Sequence, residues 1–431
     1  MKTIKNFTTK IAVFLFLISY GTSVFSAIDP VYSNSGILNE FKIIKGKIVD
    51  SKTKKELVFA TVSVVGTNIG TVTNTEGEFV LKIKNDLNAT EIEISYLGYK
   101  NLKKQINIFN DETVIIDLEL QAISLSEIVI IPENATDLLN GIRAAIPKNY
   151  SIEPNSMMAF YRETIMQRRK YVAISEAVVE VYKAPYDNES KNDLVKLIKG
   201  RKSADVKKQD TLLFKLEGGP TVSLILDIIK NPYVILEKEM EQYYKYEILN
   251  AISIDNKQNF VIQFTQIAEN EMALFNGKLY VDAQTLAVTA AEFSMNLADK
   301  EKAASMFIRK KPIGLKLTPL STNYLVKYKQ DNGKFYFSYV RNEVKFQCKW
   351  NRRLFNTTYS IMSEMAITDR TNQNVVEFPK SERMRSFTVF ADKLNAFNDE
   401  DFWGEYNTIE PDQSIESAIS KYGKRLKRME Q

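Results

Sequence analysis

Short strand-like segments separated by turns fill residues 41–121, and this pattern restricts the fold more than any other feature of the chain. In one such segment, Phe79, Leu81 and Ile83 occupy alternate positions, so one face of the strand is apolar. Gly77 precedes it in a predicted turn, where glycine tolerates a positive φ. Seven strands with an apolar face to bury predict a seven-stranded antiparallel sandwich.

The chain after residue 156 predicts a second, larger antiparallel β-rich domain. Its strands are longer, and two hairpins are predicted, one around residues 168–170 and one at Asn332-Gly333, which suits a tight turn. Helices are predicted over residues 134–148, over residues 221–230 and from Gln413 onward. The predicted fold class is therefore mainly β, with a few helices and a C-terminal amphipathic basic helix.

The same patterns divide the chain into five segments. We expect a signal peptide over residues 1–26, the sandwich over 41–121, a linker strand and helix over 122–155, the β-rich domain over 156–395 and a C-terminal segment over 396–431. The signal peptide is indicated by three early lysines followed by the apolar run Ile11–Tyr20, which is too short to span a bilayer comfortably. We therefore expect an exported protein.

Histidine is absent from the chain, and Cys348 is the single cysteine. This composition excludes Ser-His-Asp and Cys-His mechanisms, zinc sites that contain histidine and any intramolecular disulfide. The formal net charge is +5, of which the three lysines of residues 1–26 supply +3, leaving +2. Such a small charge gives no electrostatic basis for binding nucleic acid. We expect no cofactor, no metal and no nucleic-acid partner.

The segment beginning at Gly46 resembles the carboxypeptidase-regulatory-like domain. The resemblance is carried by the stretches GKIVD at 46–50, TNTEGEF at 73–79 and YLGY at 96–99, with Asn74 where the family often has Asp. It implies a transthyretin-like β-sandwich without catalytic residues of its own. The family occurs beside metallocarboxypeptidase domains and at the front of outer-membrane transporters. The resemblance therefore implies a periplasmic or outer-membrane-associated protein of a Gram-negative cell.

A second resemblance concerns the β-rich domain. The strand-turn-strand pattern of residues 276–282, 287–288 and 292–293 resembles that of half-barrel lipoprotein carriers of the periplasm. In those proteins a curved antiparallel sheet wraps around a helix and holds lipid on its concave side. The resemblance implies an apolar ligand for this domain.

Three carboxylates, Glu163, Glu176 and Asp282, are the candidates for a hydrolase that uses neither histidine nor metal. Strand geometry argues against pairing Glu176 with Glu180 as acid and base. Four residues along a strand separate them by about 13 Å, beyond the roughly 5–9.5 Å of glycosidase pairs. Glu176 and Glu180 can instead lie on a solvated strand face or pair with Arg162 across the hairpin. We assign no catalytic, cofactor-binding or metal-ligating residue.

These observations favour a non-enzymatic, exported binding or scaffold protein of the cell envelope. Its β-rich domain is expected to bind an apolar or glycan-like ligand or an outer-membrane partner. Two alternatives remain, an accessory component of an outer-membrane transport system and the carboxylate-based hydrolase. Basic clusters at 199–202 and 421–428 leave membrane contact open, although a solvated loop and a favourable helix-dipole interaction explain them more simply.

Overall fold

The computed structural model describes residues 40–109, 112–121, 134–188, 190–204, 219–307, 314–351, 356–396 and 402–419. The predicted signal peptide, most of the linker strand region and the basic cluster at 421–428 lie outside these residues. The described strands form three sheets, two small and one large. The mainly β fold class is confirmed.

The first seven strands form a two-layered sandwich. They are β1 (Phe41–Asp50), β2 (Thr61–Val64), β3 (Gly70–Val72), β4 (Glu78–Lys84), β5 (Glu91–Ser95), β6 (Leu102–Gln105) and β7 (Val114–Leu118). One sheet has the order β4-β1-β7 and the other β3-β2-β5-β6. Every pair is antiparallel except β1 with β7, which run parallel. Ile48, Phe79 and Ile94 belong to the apolar core of this sandwich.

The remaining strands form one sheet of eleven. They are β8 (Asn155–Gln167), β9 (Lys170–Lys183), β10 (Leu194–Ala204), β11 (Tyr244–Ile254), β12 (Lys257–Gln266), β13 (Phe275–Asp282), β14 (Val288–Met295), β15 (Leu315–Asp331), β16 (Lys334–Trp350), β17 (Thr357–Thr371) and β18 (Asn395–Ala396). Their order is β11-β12-β13-β14-β15-β16-β17-β8-β9-β10-β18. All neighbours are antiparallel except the short β18, which runs parallel to β10. Both predicted hairpins, β8–β9 and β15–β16, are present.

The two faces of the large sheet have different coverings. On one face, α1 (Ala135–Asn149), α2 (Pro220–Ile225) and α3 (Lys300–Ser305) contribute to a large apolar core with the sheet. On the other face, residues of the sandwich and of the segment after residue 402 pack against the sheet. A fourth helix, α4, covers residues 413–419. Within the described part of the chain, no helix has the length and apolar character needed to cross a membrane.

The α2 helix is shorter than the predicted span of residues 221–230, and Asp227 explains why. Its Oδ1 accepts hydrogen bonds from the N–H groups of Ile229 and Lys230, at 3.2 and 3.3 Å. A side chain that bonds to nearby backbone in this way competes with helical hydrogen bonding. The chain therefore turns at Asp227 instead of continuing as a helix.

Asp227 also belongs to a buried ionic cluster that joins this turn to the sheet. The Nζ atom of Lys183 in β9 lies 2.7 Å from Asp227 and 2.6 Å from Asp193. The hydroxyls of Tyr186 and Tyr328 also donate to Asp227, at 2.9 and 2.8 Å. Burial alone would lower the pKa of Lys183, but the two carboxylates outweigh it and raise the pKa. Lys183 is therefore charged and pairs with two buried carboxyl groups.

Replacing Lys183 tests this cluster. We expect Lys183→Met to lower the free energy of unfolding by about 3–5 kcal/mol, because it leaves two buried carboxylates without a cation. Urea unfolding at pH 7 measures the loss. The control is Lys196→Met on the neighbouring strand β10, whose 2.6 Å pair with Glu382 is partly exposed. It is expected to cost less than about 1 kcal/mol, and equal losses in both variants would contradict the assignment.

Candidate functional site

A row of mostly charged and polar side chains crosses the large sheet at right angles to its strands. From β11 to β10 its members are Glu247, Gln263, Lys278, Glu292, Leu325, Arg341, Glu364, Arg162, Glu176 and Arg201, each directly opposite the next. Residues that oppose one another on adjacent strands share a face and lie close enough to interact. The row therefore brings together charges that are far apart in sequence.

Five members of this row, from Arg341 to Arg201, alternate in charge, and we call them the ion ladder. Glu364 lies 3.1 Å from Arg341 and 3.3 Å from Arg162. Glu176 lies 2.8 Å from Arg162 and 3.0 Å from Arg201. Arg162 and Glu176 are almost completely buried, so these contacts are poorly screened by water. Each of the three inner members contacts an opposite charge on both sides. The two end members, Arg341 and Arg201, each contact one opposite charge within the ladder.

Within the ladder, the arginines favour the ionised form of Glu176. Burial on its own would raise the pKa of Glu176, but the guanidinium groups of Arg162 and Arg201 outweigh it and lower the pKa. Burial also acts against the charge of Arg162, yet Glu176 and Glu364 raise its pKa. The pairing of Glu176 with Arg162 across the hairpin, one of the two predicted alternatives, is the arrangement present.

Residues 402–412, which we call the C-terminal strap, lie on the ladder. Arg162 donates from Nη2 to the carbonyl of Ile409 at 2.8 Å. The guanidinium of Arg201 lies 4.9 Å from the ring centroid of Trp403, a cation–π distance. The Trp403 ring also meets Phe160 edge to face, with centroids 5.3 Å apart. The strap therefore contacts two arginines of the ladder and the neighbouring ring of Phe160.

The opposite side of the strap binds the sandwich. Thr71 donates from its hydroxyl to the carbonyl of Thr408 at 2.9 Å. Thr75 donates to the carboxylate of Asp412 at 2.8 Å. Asn407 accepts from the N–H of Lys82 at 2.7 Å and donates to its carbonyl at 3.0 Å. The strap thus connects the TNTEG stretch and β4 of the sandwich to the ion ladder of the sheet.

Phe59 is the direct contact of the sandwich with the row. Its φ is +63°, an unusual value for a bulky residue, which surrounding contacts must maintain. Lys327 donates to its carbonyl at 2.6 Å, and its ring stacks on Tyr339 with centroids 5.6 Å apart. The guanidinium of Arg341 lies 4.5 Å from the same ring. Burial lowers the pKa of Lys327 to about 8, although Glu292 and Asp255 favour its charged form.

Two cavities meet at Phe59. The first has a volume of about 280 Å³ and extends towards β8 and the C-terminal strap. The second has a volume of about 420 Å³ and extends towards β13. Both are lined by Phe59, Asn323, Arg341 and Glu343. Together they form a groove along the sheet, which has the sandwich and the strap as one wall.

The predicted hydrolase residues are not brought together. Glu176 belongs to the ion ladder, whereas Glu163 is the next residue after Arg162 and faces the opposite side of the sheet, where Tyr161 donates to it at 3.0 Å. Asp282 is the last residue of β13, and its Oδ1 accepts from the N–H groups of Gln284 and Thr285 in the following turn at 3.0 and 2.8 Å. None of the three lines the first or second cavity.

Sequence reasoning missed Arg341, Glu364 and the Lys183 cluster. It also interpreted residues 199–202 as a solvated loop, whereas they lie in strand β10 and Arg201 is buried. The signal at Glu364 is a charged residue whose same-face neighbours along the strand are apolar, and Glu176 shows the same pattern. The stretches ISEA at 174–177 and MSEMA at 362–366 both show it. Among the described residues, no group of three or more Asp, Glu or Cys side chains is placed to hold a metal ion.

A comparison with known protein families finds a match for the sandwich. Residues 44–130 match the CarboxypepD_reg-like domain. The match covers most of β1 and all of β2 to β7, and it includes Phe59 and the TNTEG stretch that binds the strap. No curated protein matches the chain. The family resemblance expected for this segment is therefore confirmed.

Solved structures align with about half of the chain. A domain from Vibrio parahaemolyticus described as an outer membrane lipoprotein-sorting protein is 12% identical, covers 57% of this chain and 95% of its own, and has a TM-score of 0.24. A DUF1329 family protein from Desulfovibrio piger is 12% identical, with 58% and 99% coverage and a TM-score of 0.26. Lipovitellin is 9% identical, with 52% and 26% coverage and a TM-score of 0.25.

The ion ladder can be tested at Arg162. Lysine keeps the charge but presents a single ammonium, which cannot contact Glu176, Glu364 and the Ile409 carbonyl at once. We expect Arg162→Lys to lower the free energy of unfolding by about 2–4 kcal/mol in urea titration. Arg169→Lys, in the exposed β8–β9 turn, is the control and is expected to change it by less than about 0.5 kcal/mol. An unchanged stability for Arg162→Lys would refute the ladder.

A second prediction concerns Glu163 and pH. Burial raises the pKa of Glu163 from 4.5 to about 8, although bonds from Tyr161 and Ser175 oppose the shift. Between pH 4.5 and about pH 8, the Glu163 carboxyl is ionised in the unfolded chain and protonated in the folded chain. The free energy of unfolding therefore falls as pH rises through this range. We expect the stability of Glu163→Gln relative to the unmodified protein to rise by roughly 4 kcal/mol between pH 4 and pH 8.

Urea unfolding across this pH range, with both proteins measured in parallel, isolates the contribution of Glu163. Glu153→Gln is the control for the removal of one carboxyl, because Glu153 is exposed. A stability difference that stays constant from pH 4 to pH 8 for Glu163→Gln would show that this carboxyl does not retain its proton.

Proposed function

We propose that this chain is an exported, non-enzymatic binding protein of the Gram-negative cell envelope. In this proposal the sandwich of residues 41–121 and the β-rich domain of residues 156–395 act as one unit, and a ligand binds in the groove between them. The observation that carries the proposal is that the two cavities join at Phe59 and have walls from both parts of the chain.

The construction of the groove supports a binding role. Its position is fixed on one side by the ion ladder and on the other by the C-terminal strap, whose bonds to Thr71, Thr75 and Lys82 hold the sandwich in place. A preorganised site loses less conformational entropy when a ligand binds. The strained backbone of Phe59 at the junction of the cavities is also typical of a functional position.

The resemblance of residues 44–130 to the CarboxypepD_reg-like domain supports the envelope setting. In this proposal the family module contributes a wall and a fixed aromatic side chain, and the β-rich domain contributes the floor. The charged groups of the floor are supplied by neighbouring strands, and Arg341 and Glu343 line both cavities.

Blocking the groove tests the proposal. The exported protein is purified and its melting temperature is measured with a panel of soluble oligosaccharides and a panel of medium-chain fatty acids. We expect at least one panel to stabilise the protein, because a ligand that binds only the folded state raises its melting temperature. Asn323→Trp, which fills the junction of the two cavities, is expected to abolish the shift.

Lys316→Trp is the matched control, because Lys316 lies exposed on the same strand, β15, and lines neither cavity. It should leave the ligand-induced shift unchanged. The proposal fails if neither panel stabilises the protein, or if Asn323→Trp and Lys316→Trp respond alike to the ligand.

A further inference from the structure

The groove has the length and direction of an extended chain laid across the strands. Its floor includes Lys278 of β13, Glu292 of β14, Asn323 of β15, Lys345 of β16 and Met362 of β17, and it reaches Thr164 of β8. These six strands are consecutive neighbours in the sheet. At about 4.8 Å between adjacent strands, the floor spans roughly 24 Å.

Several polar side chains along this floor have hydrogen-bonding capacity that the described residues do not use. Among the described residues, the side chains of Lys278, Asn323 and Lys345 make no hydrogen bond or ion pair with the protein, and all three are exposed. Glu292 accepts one bond, from Tyr280 at 3.0 Å, and keeps further acceptor capacity. Hydrogen-bonding groups on β13, β14, β15 and β16 therefore lie along the groove at about the spacing of the strands.

The charges of the groove are balanced. The lining contains four cations and four carboxylates, namely Lys278, Arg341, Lys345 and Arg162, and Glu292, Glu343, Glu364 and Asp412. A strongly anionic or cationic polymer would meet as many like charges as opposite ones. A lipid tail would remove water from charged groups without replacing their hydrogen bonds, which is costly. The lining therefore disfavours both a charged polymer and an acyl chain.

An aromatic side chain completes the site. The ring of Phe59 lines both cavities and is held by Tyr339 on one side and the guanidinium of Arg341 within 4.5 Å. The apolar face of a pyranose ring packs on such rigid aromatic groups, while its hydroxyls bond to planar amide, carboxylate and guanidinium groups. Orientation by a few placed polar groups beside an apolar surface is typical of specific small-ligand sites.

We propose that the groove binds a linear, uncharged oligosaccharide that lies across the strands, with Phe59 packing against a sugar ring at its centre. About five sugar rings fit, one for each interval between strands. This inference rests on the proposed binding function and adds the chemical class and orientation of the ligand. Asn323 is the central polar contact, since it lines both cavities and has no partner among the described residues.

The experiment is isothermal titration of the full exported protein with three probes, maltohexaose, cellohexaose and chitohexaose, and with the corresponding disaccharides. At least one hexasaccharide is expected to bind, and its disaccharide at least about tenfold more weakly because it reaches fewer of the groups along the groove. Asn323→Ala and Lys278→Ala are each expected to raise the Kd of that hexasaccharide by about tenfold through loss of a hydrogen bond. Lys316→Ala, outside the groove, is expected to leave it unchanged.

The outcomes separate this inference from the proposed function. If no hexasaccharide binds but a fatty acid stabilises the protein and Asn323→Trp abolishes that effect, the ligand class is wrong and the binding function stands. If neither class of compound binds, both proposals fail. Binding of a hexasaccharide that Asn323→Ala and Lys278→Ala leave unaffected would overturn the assignment of the site.

Discussion

The ion ladder is the interaction on which the arrangement of the whole molecule depends. A strand shifted by one residue would turn Arg162 or Glu176 towards the apolar core on the other face and away from its ionic partners. Because an unpaired buried charge is so costly, the ladder selects one register for β16, β17, β8, β9 and β10 together. The same five charges give the C-terminal strap its docking position through Arg162 and Arg201.

The ladder also explains how a common sandwich becomes part of a specific site. Thr71 and Thr75 of the sandwich bond to the strap, and the strap bonds to the ladder, so three distant parts of the chain share one interface. Phe59 then enters the groove from a backbone conformation that this interface supports. The resemblance of residues 44–130 to a known module therefore describes the framework, whereas the surface that it presents depends on the rest of the chain.

Features determined by local sequence could be predicted, and features determined by register could not. The hairpin at Asn332-Gly333 and the turn at Gly77 follow from residues that favour positive φ, and both are present. The Arg162–Glu176 pair was one predicted alternative because both residues belong to one hairpin. Glu364 was missed because it follows Arg162 by about two hundred residues, and only the order of β17 beside β8 brings them together.

One contact of the strap has a consequence for the behaviour of the protein in concentrated solution. Strand β4 ends its sheet, and an open strand edge can pair with the edge of another molecule. At Lys82 of this edge, the Asn407 side chain occupies both the N–H and the carbonyl as a neighbouring strand would. A single amide thereby closes a position at which chains could join into larger assemblies, and the strap protects the molecule against self-association as well as fastening its parts.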